Sequence, residues 1–168
     1  MDSLNEQFSH IYDQYIEKIY RFVYLKVNSQ EIAEDITSKV FLNGWESYKN
    51  QKEIENPGAF LYKIARNMVI DHYREKGRTK VISADNAPQM VDNKVNLYEK
   101  AILASDIEVI KSAINNLKKD YQDVIIWHYL EDMPIVEIAE ILDKPVGTVR
   151  VMIHRGLNTL KDELKGEA

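Results

Sequence analysis

The chain has 168 residues, room for one sizeable domain or two small ones. A hydrophobic share of 45% with 29% charged residues excludes full disorder, and the absence of Cys excludes a disulfide scaffold, a thiol nucleophile, an iron–sulfur cluster and a cysteine-ligated zinc. A net charge of −5 speaks, taken alone, against nucleic acid as a partner.

Apolar residues recur at helical spacing along most of the chain, and Gly and Pro are scarce, so an all-α protein is expected. A first helix is predicted from about Leu4 to Val27, with Phe8, Ile11, Tyr12, Tyr15, Ile19, Phe22 and Val23 on one side. Asn28-Ser29 breaks it. A second follows from about Gln30 to Tyr48, with Ile32, Ile36, Val40, Phe41 and Trp45 in register. Asn56-Pro57 reads as an N-cap with Pro at the first helical position, opening a third helix to about Lys76 that ends near Gly77. The stretch from about Lys80 to Asn96 has no clear period and reads as a linker. A second helical block starts near Leu97. Its stripes are Ile107, Ile110, Ile114 and Leu117, then Tyr121, Val124, Ile125 and His128. Asp132-Met133-Pro134 marks a further start, Ile135 to Leu142 a short amphipathic helix, and Asp143-Lys144-Pro145 a tight break before a last helix to about Leu164. Two small helical domains joined by a flexible linker are expected. The boundaries are residues 1–80, a connecting segment 81–106 that includes the start of the second block, and residues 107–168.

Charge is unevenly placed. Residues 57–80 carry six basic and two acidic groups, and residues 144–168 carry five and three. Residues 107–143 carry three basic and eight acidic groups. Two basic islands thus sit in an acidic chain, each on a predicted helix.

The C-terminal island has the spacing of a helix-turn-helix. Ala139 falls where two helices cross and only a small side chain fits, with Ile138 and Leu142 facing inward from one and Val149 and Ile153 from the other. Asp143 occupies the turn, where an Asp tolerates the left-handed conformation. The outward face of the last helix then shows Thr148, Arg150, Val151, His154, Arg155 and Asn158, with Lys144 beside it. Arg forks onto guanine, and Thr and Asn reach bases or phosphates, so this face suits the major groove. On the third helix Leu61, Ile64, Ala65, Met68 and His72 form the expected buried stripe. Lys63, Arg66, Asn67 and Arg74 lie opposite, close to Phe60, Tyr62 and Tyr73. Cations mixed with an amide and aromatics suit single-stranded DNA. The acids near this cluster in sequence are Asp71 and Glu75.

Three blocks resemble the extracytoplasmic-function (group IV) sigma factors, a family of bacterial transcription initiation factors. They are Tyr15 to Phe22 leading to Ala33 through Trp45, Ala59 through Arg74, and Tyr121 through Leu160. The resemblance implies that the second helix, around Asp35, Ile36, Ser38 and Lys39, docks on core RNA polymerase. It implies that the third helix, through Tyr62, Lys63, Arg66, Asn67 and Arg74, melts and holds the −10 strand. The last helix, through Lys144, Thr148, Arg150, Val151, His154 and Arg155, would read the −35 duplex. It further implies a linker that threads the core enzyme, with Asp85 and Asp92 mimicking nucleic acid, and regulation by an anti-sigma factor. The sequence departs from the family pattern at Ser38-Lys39, where Gln-Glu or Gln-Asp is usual, and at Asp143-Lys144, where Gly and an apolar residue are usual.

Two rival readings stand beside this one. A dimeric helix-turn-helix regulator accounts for the C-terminal block but not for the basic, aromatic helix at 57–78. A small enzyme finds no support, because His10, His72, His128 and His154 are dispersed and no phosphate loop or nucleophile motif occurs. No catalytic residue, cofactor or metal is therefore expected. The N-terminus has no basic region followed by an apolar run, and no stretch reaches the roughly 18 apolar residues of a membrane span. A cytoplasmic protein with no membrane insertion of its own is expected.

Overall fold

The computed structural model describes residues 3–50, 54–82 and 106–166. Among them every regular element is helical: α1 (Leu4–Val27), α2 (Gln30–Asn50), α3 (Pro57–Ile82), α4 (Asp106–Asn115), α5 (Lys119–Ile125), α6 (Ile135–Leu142) and α7 (Val146–Gly166). The linker expected at 80–96, with Asp85 and Asp92, and the start expected near Leu97 fall within 83–105 apart from the helical residues 80–82, and that segment lies outside the described residues.

Local chemistry sets most boundaries. Ser3 Oγ accepts from the Glu6 amide at 3.2 Å and caps α1. Asn28 takes the left-handed conformation at φ 58° and closes α1 with its own amide on the Tyr24 carbonyl. Ser29 Oγ then accepts from the Ile32 amide at the head of α2. Asn56 Oδ1 accepts from the Ala59 amide at 3.1 Å, as the Asn-Pro pair predicts. Asp143 sits at φ 54° and ψ 50°, the left-handed turn expected of it. One boundary differs: α3 runs past Gly77 to Ile82, because a lone Gly inside a helix costs only about 1 kcal/mol relative to Ala and does not stop it.

Helices α1–α3 pack on one another as a first unit, and α4–α7 form a second that contains the helix-turn-helix α6–α7. Ile19, Phe22, Val23, Val40, Leu61, Tyr62, Ala65 and Val69 fill the first unit. Trp127, Ile138, Ala139, Val149, Met152 and Ile153 fill the second. The buried residues of both belong to one continuous apolar cluster, so the units meet across a shared seam. Between α5 and α6 the backbone widens into a π-turn over Ile126–Leu130, a feature often found at functional sites. That turn places Trp127 at the seam.

Backbone approach is tight at Gly58, near the head of α3. A Cβ there would lie 2.7 Å from the Tyr15 hydroxyl oxygen and 2.8 Å from two of its ring carbons. Gly58→Ala therefore forces the half-buried Tyr15 ring aside. It should lower stability by about 1–3 kcal/mol, the usual range for overpacking. The urea midpoint should fall at unchanged slope.

Candidate nucleic-acid interface

Two faces carry the expected contacts, and the structure treats them differently. On α7, Val149, Met152, Ile153 and Gly156 are buried, so the opposite side is presented outward. Thr148, Arg150, Val151, His154, Arg155 and Asn158 are all exposed, as is Lys144 in the turn. Val151 leaves 46% of its surface in solvent, an apolar side chain of the kind that meets a thymine methyl. Asn158 Nδ2 lies 3.3 Å from His154 Nε2. Among the described residues no carboxylate pairs with Lys144, Arg150 or Arg155. This is a free cationic face on a rigid helix.

On α3, Lys63, Asn67 and Arg74 are exposed. Arg74 lies 3.8 Å from Asp71, one turn away. Arg66 is not free: its Nε donates to Asp123 Oδ2 at 3.0 Å and its Nη2 approaches Asp120 Oδ1 at 3.4 Å. Both acids belong to the second unit, so the cluster meets more acid than Asp71 and Glu75, its neighbours in sequence. Tyr62 is 2% exposed and lies beneath Trp127 rather than on a surface. The buried stripe of α3 is wider than Leu61, Ile64, Ala65, Met68 and His72, because Tyr62 and Val69 are covered as well. The α2 site divides similarly. Asp35, Ser38 and Lys39 are exposed, with Asp35 and Lys39 paired at 3.1 Å. Ile36 is 6% exposed and faces the core, where its spacing from Ala33 and Val40 puts it, so it offers a partner no surface.

The seam that takes up Arg66 and Tyr62 is built from both units. Lys26, at the end of α1, is buried and donates to Asp123 Oδ1 and to the Lys119 carbonyl. Asp123 is 2% exposed. Its carboxylate is held between an ammonium and a guanidinium on neighbouring helices. Burial pushes that carboxyl up against the pull of Lys26 and Arg66. The Trp127 ring stacks on Phe22 with centroids 5.1 Å apart and an interplanar angle of 15°, and Tyr62 meets both rings edge-on at 5.7 Å. The Tyr62 hydroxyl and Trp127 Nε1 are buried with no hydrogen-bond partner. Burial drives the Tyr62 phenol well above its ordinary range.

Smaller contacts fix the edges. Arg21 Nε lies 2.9 Å from Glu131 Oε1 as an ion pair, off line for a hydrogen bond. Lys111 donates to the Tyr24 hydroxyl at 2.9 Å, and the Asn28 and Asn115 amides exchange hydrogen bonds at 3.0 and 3.1 Å. Lys119 sits over the Tyr73 ring at 3.9 Å. Burial, Lys76 and then Lys119 hold the His72 imidazole below its ordinary value. Among the described residues no cluster of His and carboxylates is arranged to hold a metal, and no helix is long and apolar enough to cross a membrane.

Lys26, Asp120, Asp123 and Trp127 escaped the reading of the sequence. The available signal was a charged residue set into an apolar run: Lys26 between Leu25 and Val27, and Asp123 before Val124-Ile125-Ile126.

Residues 11–79 match the family described as Sigma-70 region 2, and residues 107–160 match Sigma-70, region 4. The chain is 31% identical over 169 residues to the ECF RNA polymerase sigma factor SigW of Bacillus subtilis, covering 95% of this chain and 90% of that one. It is 28% identical over 174 residues to the ECF RNA polymerase sigma factor BldN of Streptomyces coelicolor, covering 97% of this chain and 62% of that one. The fold is similar to that of the sigma factor RpoE of Bartonella quintana, solved in complex with the anti-sigma factor NepR. The TM-score is 0.73 at 19% identity, over 95% of this chain and 97% of that one.

The seam has an optical reporter. Trp45→Phe leaves Trp127 as the remaining indole of the two in the chain. With the units together, its emission should stay blue-shifted and resist acrylamide quenching. Ready quenching in native buffer, with helicity intact by circular dichroism, would show that the units rest apart.

Proposed function

Since the chain belongs to the extracytoplasmic-function family of RNA polymerase sigma factors, we propose that it binds core RNA polymerase and directs promoter-specific initiation, acting without catalysis or cofactor of its own. The observation that carries this reading is the pair of basic helix faces, one on each unit of a chain whose net charge is negative. In this reading the first unit, about residues 1–80, docks on polymerase through the exposed Asp35, Ser38 and Lys39 of α2. It captures the −10 strand on α3 through Lys63, Asn67, Arg74 and, once the seam has parted, Arg66 and Tyr62. The second unit, residues 107–168, lays α7 in the major groove of the −35 element, where Lys144, Thr148, Arg150, Val151, His154 and Arg155 face the duplex. Residues 81–106 connect the two.

The protein works in the cytoplasm, where core polymerase and promoters are found, and an anti-sigma factor restrains it. The solved relative's complex with NepR supports that partner class. The reading gives α2 a polymerase-facing role even though Lys39 reverses the charge usual in the family at that position, because Lys39 is paired with Asp35 and the exposed Glu31 and Glu34 keep the face acidic.

Purified protein should bind core polymerase at micromolar concentration and support run-off transcription from discrete start sites. Failure to bind, with no inhibitor present, would sink the reading. Arg150→Ala and Arg155→Ala should each lose about 1–3 kcal/mol of −35 discrimination while polymerase binding persists. Asn67 both donates and accepts, so it can satisfy a base edge taken out of the stack. Asn67→Ala should slow open-complex formation in a permanganate footprint without affecting −35 dependence. Normal melting would move strand capture off this face.

A further inference from the structure

Lys26 and Arg66 are cations of the first unit whose side-chain hydrogen bonds and ion pairs, among the described residues, all run to the second. Lys26 Nζ is held by the Asp123 carboxylate and the Lys119 carbonyl, and Arg66 by Asp123 and Asp120. Asp123 presents one oxygen to each cation, as a phosphodiester would with its two unesterified oxygens. One helical turn further on, the flat ring of Trp127 lies on the face of Phe22 and against the edge of Tyr62. Nucleobases rest on aromatic side chains in this way. The second unit therefore inserts an anion and a heteroaromatic ring side by side into the first.

The fit is incomplete in a telling way. The Tyr62 hydroxyl is buried and unbonded, and so is Trp127 Nε1. A native contact evolved only for adhesion rarely leaves a polar group of each of two touching rings orphaned. A base, with donors and acceptors along its edge, would offer the Tyr62 hydroxyl the partner that the indole does not.

We propose that Asp123 and Trp127 are a built-in mimic of a nucleotide, and that the site they fill on the first unit binds one nucleotide of single-stranded DNA. Its phosphate lies between Lys26 and Arg66, and its base lies on Phe22 beside Tyr62. This deepens the strand-capturing role proposed for α3 and rests on it. It adds Lys26 and Phe22, on α1, to the strand's path. It also makes the closed arrangement self-blocking, since the strand and the second unit compete for the same cations and the same aromatic face. Opening the seam exposes a complete site: two cations with, among the described residues, no carboxylate of their own unit bonded to them, next to a stacking surface.

The test uses the full chain without polymerase and a fluorescein-labelled 12-nucleotide oligothymidine, read by anisotropy at low salt. Asp123→Asn keeps the side chain's shape and removes its charge. It should raise affinity for the oligonucleotide about tenfold, with a smaller gain for a duplex of the same length. Adding Lys26→Met to Asp123→Asn should abolish most of that gain. It should also reduce the slope of log affinity against log salt by about 0.7, the signature of one lost phosphate contact on a single strand. In the Trp45→Phe background, the oligonucleotide should render Trp127 quenchable as it is displaced.

If Asp123→Asn exposes Trp127 to quencher yet binds the oligonucleotide no better than the parent, the site is not a nucleotide site. Where neither signal moves, Asp123 does not guard it. Should Asp123→Asn fail to fold, Asp120→Asn alters an exposed carboxylate 3.4 Å from Arg66 and is read the same way. A gain of about threefold is then expected, scaled to the weaker contact of an exposed pair, and no gain overturns the proposal. Run-off transcription with core polymerase separates the two levels. Normal promoter-specific initiation without any oligonucleotide gain removes the mimic and leaves the initiation role standing.

Discussion

A single buried carboxylate governs how this molecule is arranged. Asp123 is enclosed, and a charge taken out of water is tolerated only where opposite charges and hydrogen bonds surround it. Lys26 and Arg66 supply both, from two helices of the other unit. Such ion clusters add little net stability, because desolvation offsets their attraction. Deleting one member of a buried pair nonetheless costs about 3–5 kcal/mol. The cluster therefore fixes which way the two units face more than how tightly they hold. The adhesion comes from the aromatic contact beside it.

That contact is moderate by its own chemistry. Burying an indole removes about 150–250 Å² from water, worth at most about 6 kcal/mol at about 25 cal/mol per Å². Two orphaned polar groups, the Tyr62 hydroxyl and Trp127 Nε1, take back about 1–3 kcal/mol each. The seam is specific because of its charges and separable because of its unsatisfied groups. Within each unit the situation differs: the cores of α1–α3 and of α6–α7 are predominantly aliphatic, with buried Ile, Val, Leu and Ala. Parting the units is thus expected to precede unfolding of either.

The helices themselves were legible because their signals are local. Ser3, Asn28, Ser29, Asn56 and Asp143 each set an end through a bond or a backbone conformation within four residues. The outward face of α7 was legible for the same reason, since helical periodicity alone separates Arg150 and Arg155 from Val149 and Ile153. The departures are equally physical. Gly77, a residue type common just past helix ends, lies inside α3. The π-turn at Ile126–Leu130 follows no simple period. Arg66 and Tyr62 look like surface on α3 until the second unit is in place, and their partners Asp123, Asp120 and Trp127 lie 54 or more residues away. Lys26 and Asp123 are 97 residues apart. A pairing of that range leaves only an isolated charge in each apolar run, with nothing to say that the two charges answer one another.

The uneven charge of the chain has its explanation in the same seam. An acidic protein that holds DNA must keep its cations from being neutralised by its own acids when DNA is present, and keep them from non-specific polyanions when it is not. The acidic stretch at 107–143 and the basic stretch at 57–80 solve the second problem together, because Asp120 and Asp123 of the one lie on Arg66 of the other. The α7 face has no such cover and stays cationic. In the proposed reading the α7 cations are thus all held available, whereas on α3 Lys63 stays exposed and Arg66 is withheld by the second unit. Under the proposed roles, electrostatics then sets the order in which the seam residues meet DNA: the α7 face first, and Arg66 and Tyr62 only after an interaction strong enough to separate Trp127 from Phe22 has drawn the units apart.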